Sequence, residues 1–259
     1  MYKFYIKILQ KVKNKIHREG FTAFLVAAVL TPFYYRRHLA YKKMLKTRNI
    51  KERFDLIYRY NLWGSKESGS GKGSEVSYTK NIRDWLITAI HRYSIKTLVD
   101  APCGDFNWMK LVTSKSTFNY IGLDIVDSVI TKNKQNYESE TIKFYVANIC
   151  TENIPSCDLL IVRDCLFHLS YEDINSFLRN ISRTDFKYLL TTTHIVPVNF
   201  KNYDIKTGDF RLISLFHTPF CFKYESVIEF IQDYPDEDPT PRKMILVAKK
   251  DIPVSLALI

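Results

Sequence analysis

The sequence lacks several features that would assign it to common classes of protein. Its five cysteines are an odd number without any Cys-x-x-Cys spacing, so they predict reduced core residues of a cytosolic protein and exclude a disulfide framework. The apolar run Phe21–Leu30 has ten residues, whereas a membrane-spanning helix needs about twenty. The basic N-terminal region is too long for a secretory signal peptide, and no small-residue cleavage site follows it.

Acidic residues are scarce in the first part of the chain. Residues 1–60 carry 15 Lys and Arg against three acidic residues, and residues 61–259 carry 23 against 24. The net charge of +11 therefore belongs to an N-terminal arm on a nearly neutral body. An enzyme of nucleic acids usually spreads positive charge along the groove that holds the phosphates, so nucleic acid is the least favoured partner.

The arm, residues 1–60, has helical periodicity. Met1–Arg18 places apolar residues at helical spacing with lysines on another side, Gly20 ends this helix, and Tyr34–Tyr60 is again helical and basic. One interpretation of residues 1–33 is an interfacial helix on an anionic membrane, which predicts a cytoplasmic protein held peripherally on the inner face of that membrane. The alternative is a helical cap packed on the domain or on a second subunit of a homodimer.

The most informative segment is Thr97–Trp108. An apolar strand pattern ends at Asp100, turns through Pro102 and Gly104, and leads into a helical pattern; a second acidic strand end follows at Asp124. In an open α/β sheet, a nucleotide-type ligand lies beyond such strand ends. A carboxylate at the second strand end can accept hydrogen bonds from both hydroxyls of a ribose.

The same turn indicates which nucleotide is bound. A dinucleotide site needs several glycines and a helix N-terminus that receives a pyrophosphate, but this turn has one glycine, Gly104, with Asp105 next to it. A fixed negative charge repels a diphosphate. It does not repel S-adenosylmethionine (SAM), which has no phosphate and carries a sulfonium and an ammonium group. The turn therefore favours a methyl donor over NAD.

A glycine- and serine-rich segment precedes the first strand. Trp63–Ser74 contains four glycines and four serines, which is typical of a mobile loop. It is not a phosphate loop, because no strand precedes it and Lys72 is not followed by Ser or Thr. A lid over residues 61–78 that excludes water from the cofactor is favoured over a plain linker.

The remaining segment, residues 79–259, alternates strand and helix patterns. The predicted helices are Thr79–Tyr93, Val126–Asn136, Tyr171–Ile181 and Ser226–Gln232. The predicted strands are Leu98–Asp100, Tyr120–Asp124, Ile142–Ala147, Cys157–Val162, Tyr188–Thr192 and Met244–Ala248. The alternation predicts an α/β fold with a Rossmann-like, doubly wound, mostly parallel sheet and one reversed strand near the C-terminus.

Several motifs resemble those of a known family. Asp100–Asp105, Asp124 and Val146–Asn148 resemble the cofactor motifs of class I SAM-dependent methyltransferases. More narrowly, the chain is similar to a bacterial and viral subgroup that often accompanies polysaccharide gene clusters. The motifs shared with that subgroup are Trp63–Ser74, Asp100–Met109, Arg163–Leu169, Gly208–Arg211 and Pro219-Phe220. The resemblance covers residues 60–250 and implies a seven-stranded sheet, SAM as the cofactor, and methylation of a sugar hydroxyl.

The resemblance also implies which residues hold the cofactor. Gly104 lets the backbone approach the methionine moiety, Asp100 holds its amino end, Asp124 binds the ribose, and Asn148 and Ile149 flank the adenine. The complete expected set is Trp63, Asp100, Ala101, Pro102, Gly104, Asp124, Ile125, Asn148, Ile149 and Arg163.

Methyl transfer to a sugar hydroxyl requires alignment of the acceptor and a base that removes its proton. The base candidates are Asp164 and His168, which follow the fourth predicted strand. Each candidate also has a structural alternative. Asp164 could cap a helix or pair with Arg211, and His168 could be a buried core residue. His194, Asp209 and Arg211 are expected to line the acceptor pocket. No ligand spacing predicts a metal site.

The predicted function is that of an O-methyltransferase acting on a sugar or a surface-glycan intermediate. Methylation of RNA or protein is the alternative reaction. A SAM-binding protein without catalytic activity is the alternative of another class.

Overall fold

The computed structural model describes residues 35–235, 238 and 240–257. The amphipathic pattern of Met1–Arg18 and the apolar run Phe21–Leu30 lie outside these residues. No helix in the described part of the chain is long and apolar enough to cross a membrane.

Two helices open the described part of the chain. α1 spans residues 35–46 and α2 spans Ile50–Arg59. They are separate because the Asn49 side chain caps α2, accepting a hydrogen bond from the backbone N–H of Glu52. From residue 35 onward, the segment with the predicted helical pattern therefore forms a pair of helices. Its shared apolar cluster consists of Ala40, Met44, Leu56, Ile57 and Leu62.

Helices and strands alternate in the rest of the chain. The further helices are α3 Lys80–Arg92, α4 Lys110–Thr113, α5 Asp127–Tyr137 and α6 Tyr171–Arg183. The strands are β1 Thr97–Asp100, β2 Asn119–Asp124, β3 Ile142–Val146, β4 Cys157–Val162, β5 Phe186–His194, β6 Val227–Gln232 and β7 Arg242–Ala248.

The strands form one seven-stranded sheet in the order β3-β2-β1-β4-β5-β7-β6. The strands β1 to β5 pair in parallel, and β7 lies antiparallel between β5 and β6. The chain leaves β1 toward β2 on one side and returns to β4 on the other, which opens a crevice at the carboxyl ends of these strands. The predicted Rossmann-like sheet with one reversed C-terminal strand is confirmed.

Alternate residues of the central strands serve two cores, one on each face of the sheet. Val99, with Leu160 of β4, packs under α6 in one core, whereas Leu98, with Leu159 of β4, packs under α3 in the other. Successive side chains of a strand point to opposite faces, so a sheet covered on both faces needs apolar residues at every position. This explains the apolar segments Leu98-Val99 of β1 and Leu159–Val162 of β4.

The prediction of a helix over Ser226–Gln232 is wrong. Val227–Gln232 forms β6, which pairs antiparallel with β7 and has a bulge between Val227 and Glu229. The β-branched residues Val227, Ile228 and Ile231 are typical of strands. A short apolar run does not distinguish the two structures by its periodicity, and here the pairing with β7 decides.

Candidate active site

A cleft opens at the carboxyl ends of β1, β2 and β4. It encloses about 840 Å³, including its open mouth, which lies within the usual range for small-molecule sites. Eleven of the residues predicted from the sequence line it: Trp63, Asp100, Pro102, Gly104, Asp124, Ile125, Asn148, Ile149, Arg163, Asp164 and His168. The structure therefore brings together the predicted strand-end residues and the tryptophan of the 61–78 loop.

The turn after β1 is fixed by its neighbouring strands. The backbone N–H of Ala101 donates to Ile161 of β4 at 2.9 Å, and that of Cys103 donates to Leu123 of β2 at 2.8 Å. These bonds continue the hydrogen-bond ladder past the end of β1. Ala101 itself does not line the cleft; it holds the turn between the two strands.

Gly104 is the narrowest point of the turn. Its φ of +56° is one that residues with a side chain rarely adopt, and a Cβ there would lie 2.2 Å from Ser70 Oγ and 3.2 Å from Tyr58 Oη. Its N–H donates to Asp124 Oδ2 at 3.1 Å, and Asn133 Nδ2 donates to its carbonyl at 2.8 Å. Both the backbone angle and the space require glycine.

Two buried carboxylates lie at the ends of β1 and β2. Asp124 accepts a hydrogen bond at each oxygen, from Gly104 N–H and from Val126 N–H at 2.9 Å. Asp100 accepts from Tyr120 Oη at 3.0 Å. Burial raises the pKa of Asp124 to about 6 and that of Asp100 to about 7. The protein therefore stabilises the negative charge of each carboxylate poorly. A bound cation or hydrogen-bond donor would stabilise that charge.

The wall beyond β2 and β3 is mostly apolar. Ile125, Ala147 and Ile149 line it, with Asn148 between them. The Asn148 side-chain oxygen accepts from the Cys150 N–H at 3.0 Å, which closes the turn after β3. A flat apolar slot with one amide beside it suits a heteroaromatic base.

The 61–78 loop is bonded to the turn through Asp105. This carboxylate accepts from Ser68 Oγ at 2.9 Å, from Gly69 N–H at 2.8 Å and from Ser70 Oγ at 3.2 Å. Just before these residues in the loop, the Glu67 carboxylate accepts a hydrogen bond from Asn107 Nδ2 at 2.6 Å. Asp105, whose charge the sequence analysis expected to repel phosphate, thus also holds the loop against the turn.

Asp164, one of the two base candidates, is a paired carboxylate. It accepts two hydrogen bonds from the Arg242 guanidinium, at 2.9 and 2.7 Å, and lies 3.6 Å from Arg163 Nη1. Its φ is +51°, and its N–H donates to Thr192 Oγ1 at 2.9 Å. Burial alone would raise the pKa of Asp164, but Arg242 and Arg163 hold it at about 2. A carboxylate this acidic and this well paired is a weak proton acceptor.

His168, the other base candidate, has one free ring nitrogen. Its Nδ1 lies 2.7 Å from the backbone carbonyl of Asp209, and because a carbonyl only accepts, Nδ1 carries the proton. Nε2 makes no hydrogen bond with the described residues and is the unprotonated nitrogen of the neutral ring. Burial lowers the pKa of His168, which keeps the ring neutral near pH 7.

Three predicted acceptor residues do not line the cleft. His194 is buried, its Nδ1 accepts from the Ile213 N–H at 3.1 Å, and burial lowers its pKa to about 4. The Asp209 carboxylate accepts from Tyr41 Oη of α1 at 2.8 Å. Arg211 is fully buried beneath Tyr171 and does not pair with Asp164, which the sequence had allowed.

Other residues of the cleft were missed by the sequence analysis. Tyr58 and Ser70 lie against Gly104. The guanidinium carbon of Arg163 lies over the Trp108 ring, 5.4 Å from the ring centroid. Arg242 of β7 was also missed; it does not line the cleft but pairs with Asp164 there. Trp108 could have been predicted, because it belongs to the sequence motif of the β1 turn. Arg242 belongs to no motif that would indicate its role. Among the described residues no group of three or more His, Cys, Asp and Glu side chains could hold a metal ion.

The fold is that of the Rossmann-like methyltransferases. Human N-acetylserotonin methyltransferase in complex with SAM is similar, with 14% identity and a TM-score of 0.51 over 76% of this chain and 56% of that one. Magnesium protoporphyrin IX methyltransferase from Synechocystis with bound S-adenosylhomocysteine (SAH) is also similar, with 10% identity and a TM-score of 0.52 over 77% and 97% of the two chains. No family model and no curated protein sequence matches the chain. The similarity therefore concerns the fold.

Proposed function

We propose that the chain is a SAM-dependent methyltransferase that methylates a hydroxyl of a sugar or of a surface-glycan intermediate. The observation that carries this proposal is the charge of the cleft. Its wall holds the carboxylates of Asp100 and Asp124, which form no ion pair with the described residues, whereas Asp164 is paired with Arg242 and Arg163 with Asp233. Such a wall attracts a donor that bears a sulfonium and an ammonium and repels a diphosphate.

The residues present fit SAM. Each oxygen of Asp124 already accepts one backbone N–H and keeps lone pairs for the two ribose hydroxyls. The pKa of Asp100 is about 7, so a nearby ammonium group would stabilise its charged form. Gly104 leaves the backbone bare where the methionine moiety would pass, and Asn148 with Ile149 would flank the adenine.

His168 is the proposed general base. SAM supplies an electrophilic methyl group on a sulfonium, so the protein needs only to align the acceptor and remove its proton. The neutral ring with a free Nε2 supports this role for His168. Asp164 is reassigned to positioning, because its carboxylate is committed to Arg242 and has a pKa of about 2.

The 61–78 loop is proposed as the lid of this site. Its bonds to Asp105 place Ser70 against Gly104 and Trp63 beside His168. A closed loop there would exclude water from methyl transfer and would retain the cofactor.

The acceptor class and the cellular location are also proposals. Resemblance to the subgroup of polysaccharide gene clusters supports a sugar acceptor, and the near-neutral charge of residues 61–259 is unfavourable for RNA. The lysines of residues 1–33 support a peripheral site on the inner face of the cytoplasmic membrane. Those residues lie outside the described part of the chain.

Calorimetry with SAH tests the cofactor. The wild-type chain should bind SAH, and Asp124→Asn should bind it at least tenfold more weakly, about 1.4 kcal/mol, because the amide accepts fewer hydrogen bonds from the ribose. Asp127→Asn is the matched control, since its carboxylate is exposed and pairs with Lys51 outside the cleft. Absence of binding of both SAM and SAH to the wild-type chain would refute the proposal.

Isotope-labelled methyl transfer tests the acceptor. Label from SAM should enter sugar nucleotides or extracted cell-surface glycan. Label in RNA or protein instead would replace the proposed acceptor, and SAH binding without any incorporation would leave a non-catalytic binding protein.

A further inference from the structure

The indole of Trp63 has an unmatched donor in the wall of the cleft. Its Nε1 is buried and has no hydrogen-bond partner among the described residues, although the ring lines the cavity. The ring is held in place by Tyr58, with ring centroids 5.6 Å apart, and by Gly71, where a Cβ would lie 3.0 Å from Trp63 Cβ. Leaving a buried donor unpaired costs about 1–3 kcal/mol, so this N–H is a place where a ligand acceptor gains affinity.

The ring of His168 lies next to this indole. The two ring centroids are 5.4 Å apart, and both side chains line the cleft. Since His168 Nδ1 donates to the Asp209 carbonyl, Nε2 is an acceptor without a partner. The wall of the cleft thus holds an unpaired donor, on Trp63, and an unpaired acceptor, on His168, on two neighbouring rings.

We propose that Trp63 and His168 together bind the acceptor hydroxyl, whose oxygen accepts from Trp63 Nε1–H while its own O–H donates to His168 Nε2. This inference rests on the proposed methyltransferase function and moves Trp63 from cofactor binding to acceptor binding. A hydroxyl satisfies both partners at once, because its oxygen accepts a hydrogen bond and its O–H donates one.

The pair selects oxygen over nitrogen as the atom that is methylated. A hydroxyl oxygen has two lone pairs, so it accepts from Trp63 with one and attacks the methyl carbon with the other. A neutral amine has one lone pair, which it cannot both give to Trp63 and use for attack. In the step itself the oxygen forms the C–O bond, the C–S bond breaks with its electron pair left on sulfur, and the hydroxyl proton passes to His168 Nε2.

Nuclear magnetic resonance of the full chain with bound SAH tests the contact directly. The indole N–H resonances of Trp63 and Trp85 are assigned with Trp63→Phe and Trp85→Phe. Glycerol, a small polyol probe, should then move the Trp63 N–H proton downfield until the shift saturates. Trp85 is the internal control, because its Nε1 donates to Glu229 at 2.8 Å outside the cleft, and it should not move.

Product analysis tests the selectivity. Wild-type chain, labelled SAM and a glycan extract containing amino sugars with free amines should give O-methyl ethers and no N-methyl product. In Trp63→Phe the rate of O-methylation should fall about tenfold, the effect of one lost hydrogen bond of 1.4 kcal/mol, while SAH affinity stays unchanged.

The outcomes separate this inference from the proposed function. A chain that does not bind SAH refutes the function. A chain that binds SAH but shows no movement of the Trp63 resonance at saturating glycerol, or that forms N-methyl products, overturns the pairing of Trp63 with His168 and leaves the function standing.

Discussion

At the scale of single residues, Gly104 joins three parts of the site. Its N–H meets Asp124, its carbonyl meets Asn133, and its missing side chain leaves space for Ser70 of the 61–78 loop. A side chain here would disturb the turn and the loop together, because both the φ of +56° and the 2.2 Å approach require glycine.

The variant Gly104→Ala should therefore lose most of its affinity for SAH, by about tenfold or more, measured by calorimetry. Gly208→Ala is the control: its φ is +96°, and its Cβ would meet the flexible Met44 side chain rather than the cleft. It should lower the melting temperature and leave SAH affinity unchanged. Equal loss of SAH affinity in the two variants would show that strain alone, and not the cleft, explains the effect.

The proposed base makes a prediction about pH. His168→Gln should keep its SAH affinity and melting temperature and lose about 100-fold or more in kcat. In the wild-type chain at saturating SAM, which keeps titration of Asp100 and Asp124 in the empty cleft out of the profile, kcat should be constant above a pH of about 6.5. It should fall tenfold per pH unit below the His168 pKa, since protonation of Nε2 removes the base. The charged groups that act on His168 are Asp164, Asp209 and Arg242. The ion pair between Asp164 and Arg242 keeps the pKa of Asp164 at about 2, so Asp164 stays charged in this range.

Asp164→Asn should behave differently from His168→Gln. It leaves the buried Arg242 without its carboxylate, which costs about 3–5 kcal/mol of folding free energy. Thermal unfolding should therefore show a clear loss of stability in Asp164→Asn. An Asp164→Asn chain of unchanged stability that loses turnover would instead return Asp164 to the role of base.

At the scale of secondary-structure elements, the 61–78 loop depends on Asp105. The carboxylate holds three successive residues, Ser68 to Ser70, by hydrogen bonds from two hydroxyls and one backbone N–H. Loops with few buried apolar contacts open at low free-energy cost, so we expect these bonds to decide how firmly the loop is held against the turn.

Asp105→Ala should release the loop. We expect faster amide hydrogen exchange over residues 65–76 and dissociation of SAH about tenfold faster, measured by stopped flow. Asp84→Ala is the control, because Asp84 forms an exposed pair with Lys80 on α3, away from the cleft. Unchanged exchange in Asp105→Ala would refute the role of this carboxylate in closure.

The elements themselves were largely predictable from the sequence. Apolar runs ending in Asp100 and Asp124 marked β1 and β2 because a sheet covered on both faces leaves no polar position inside. The strand Val227–Gln232 was not predictable, because it forms by pairing with β7, which comes later in the chain after a loop. Periodicity reports local structure and does not report pairing.

The candidate site divides in the same way. Residues at a strand end or just beyond it, such as Asp124 and Asp164, were found by position. The partners that decide their chemistry were not found: Arg242 lies 78 positions from Asp164, and the Asp209 carbonyl lies 41 positions from His168. These contacts arise only when the sheet has formed, so no local pattern indicates them.

At the scale of the whole molecule, the charge is divided between a basic arm and a near-neutral body. The full chain should float with anionic vesicles at low salt and with neutral vesicles much less. Replacing Lys3, Lys7 and Lys11 by Glu should strongly weaken flotation, because residues 1–33 then lose their net positive charge, while SAH affinity stays unchanged. Flotation that persists in this variant would favour an arm packed on protein.

The carboxylates of the cleft have a consequence for the end of the proposed reaction. Methyl transfer from SAM turns the sulfonium into a neutral thioether, so the product carries one positive charge fewer than the donor. Asp100 and Asp124 would then attract SAH less than SAM. The proposed reaction would thus itself favour release of the product and its exchange for fresh donor.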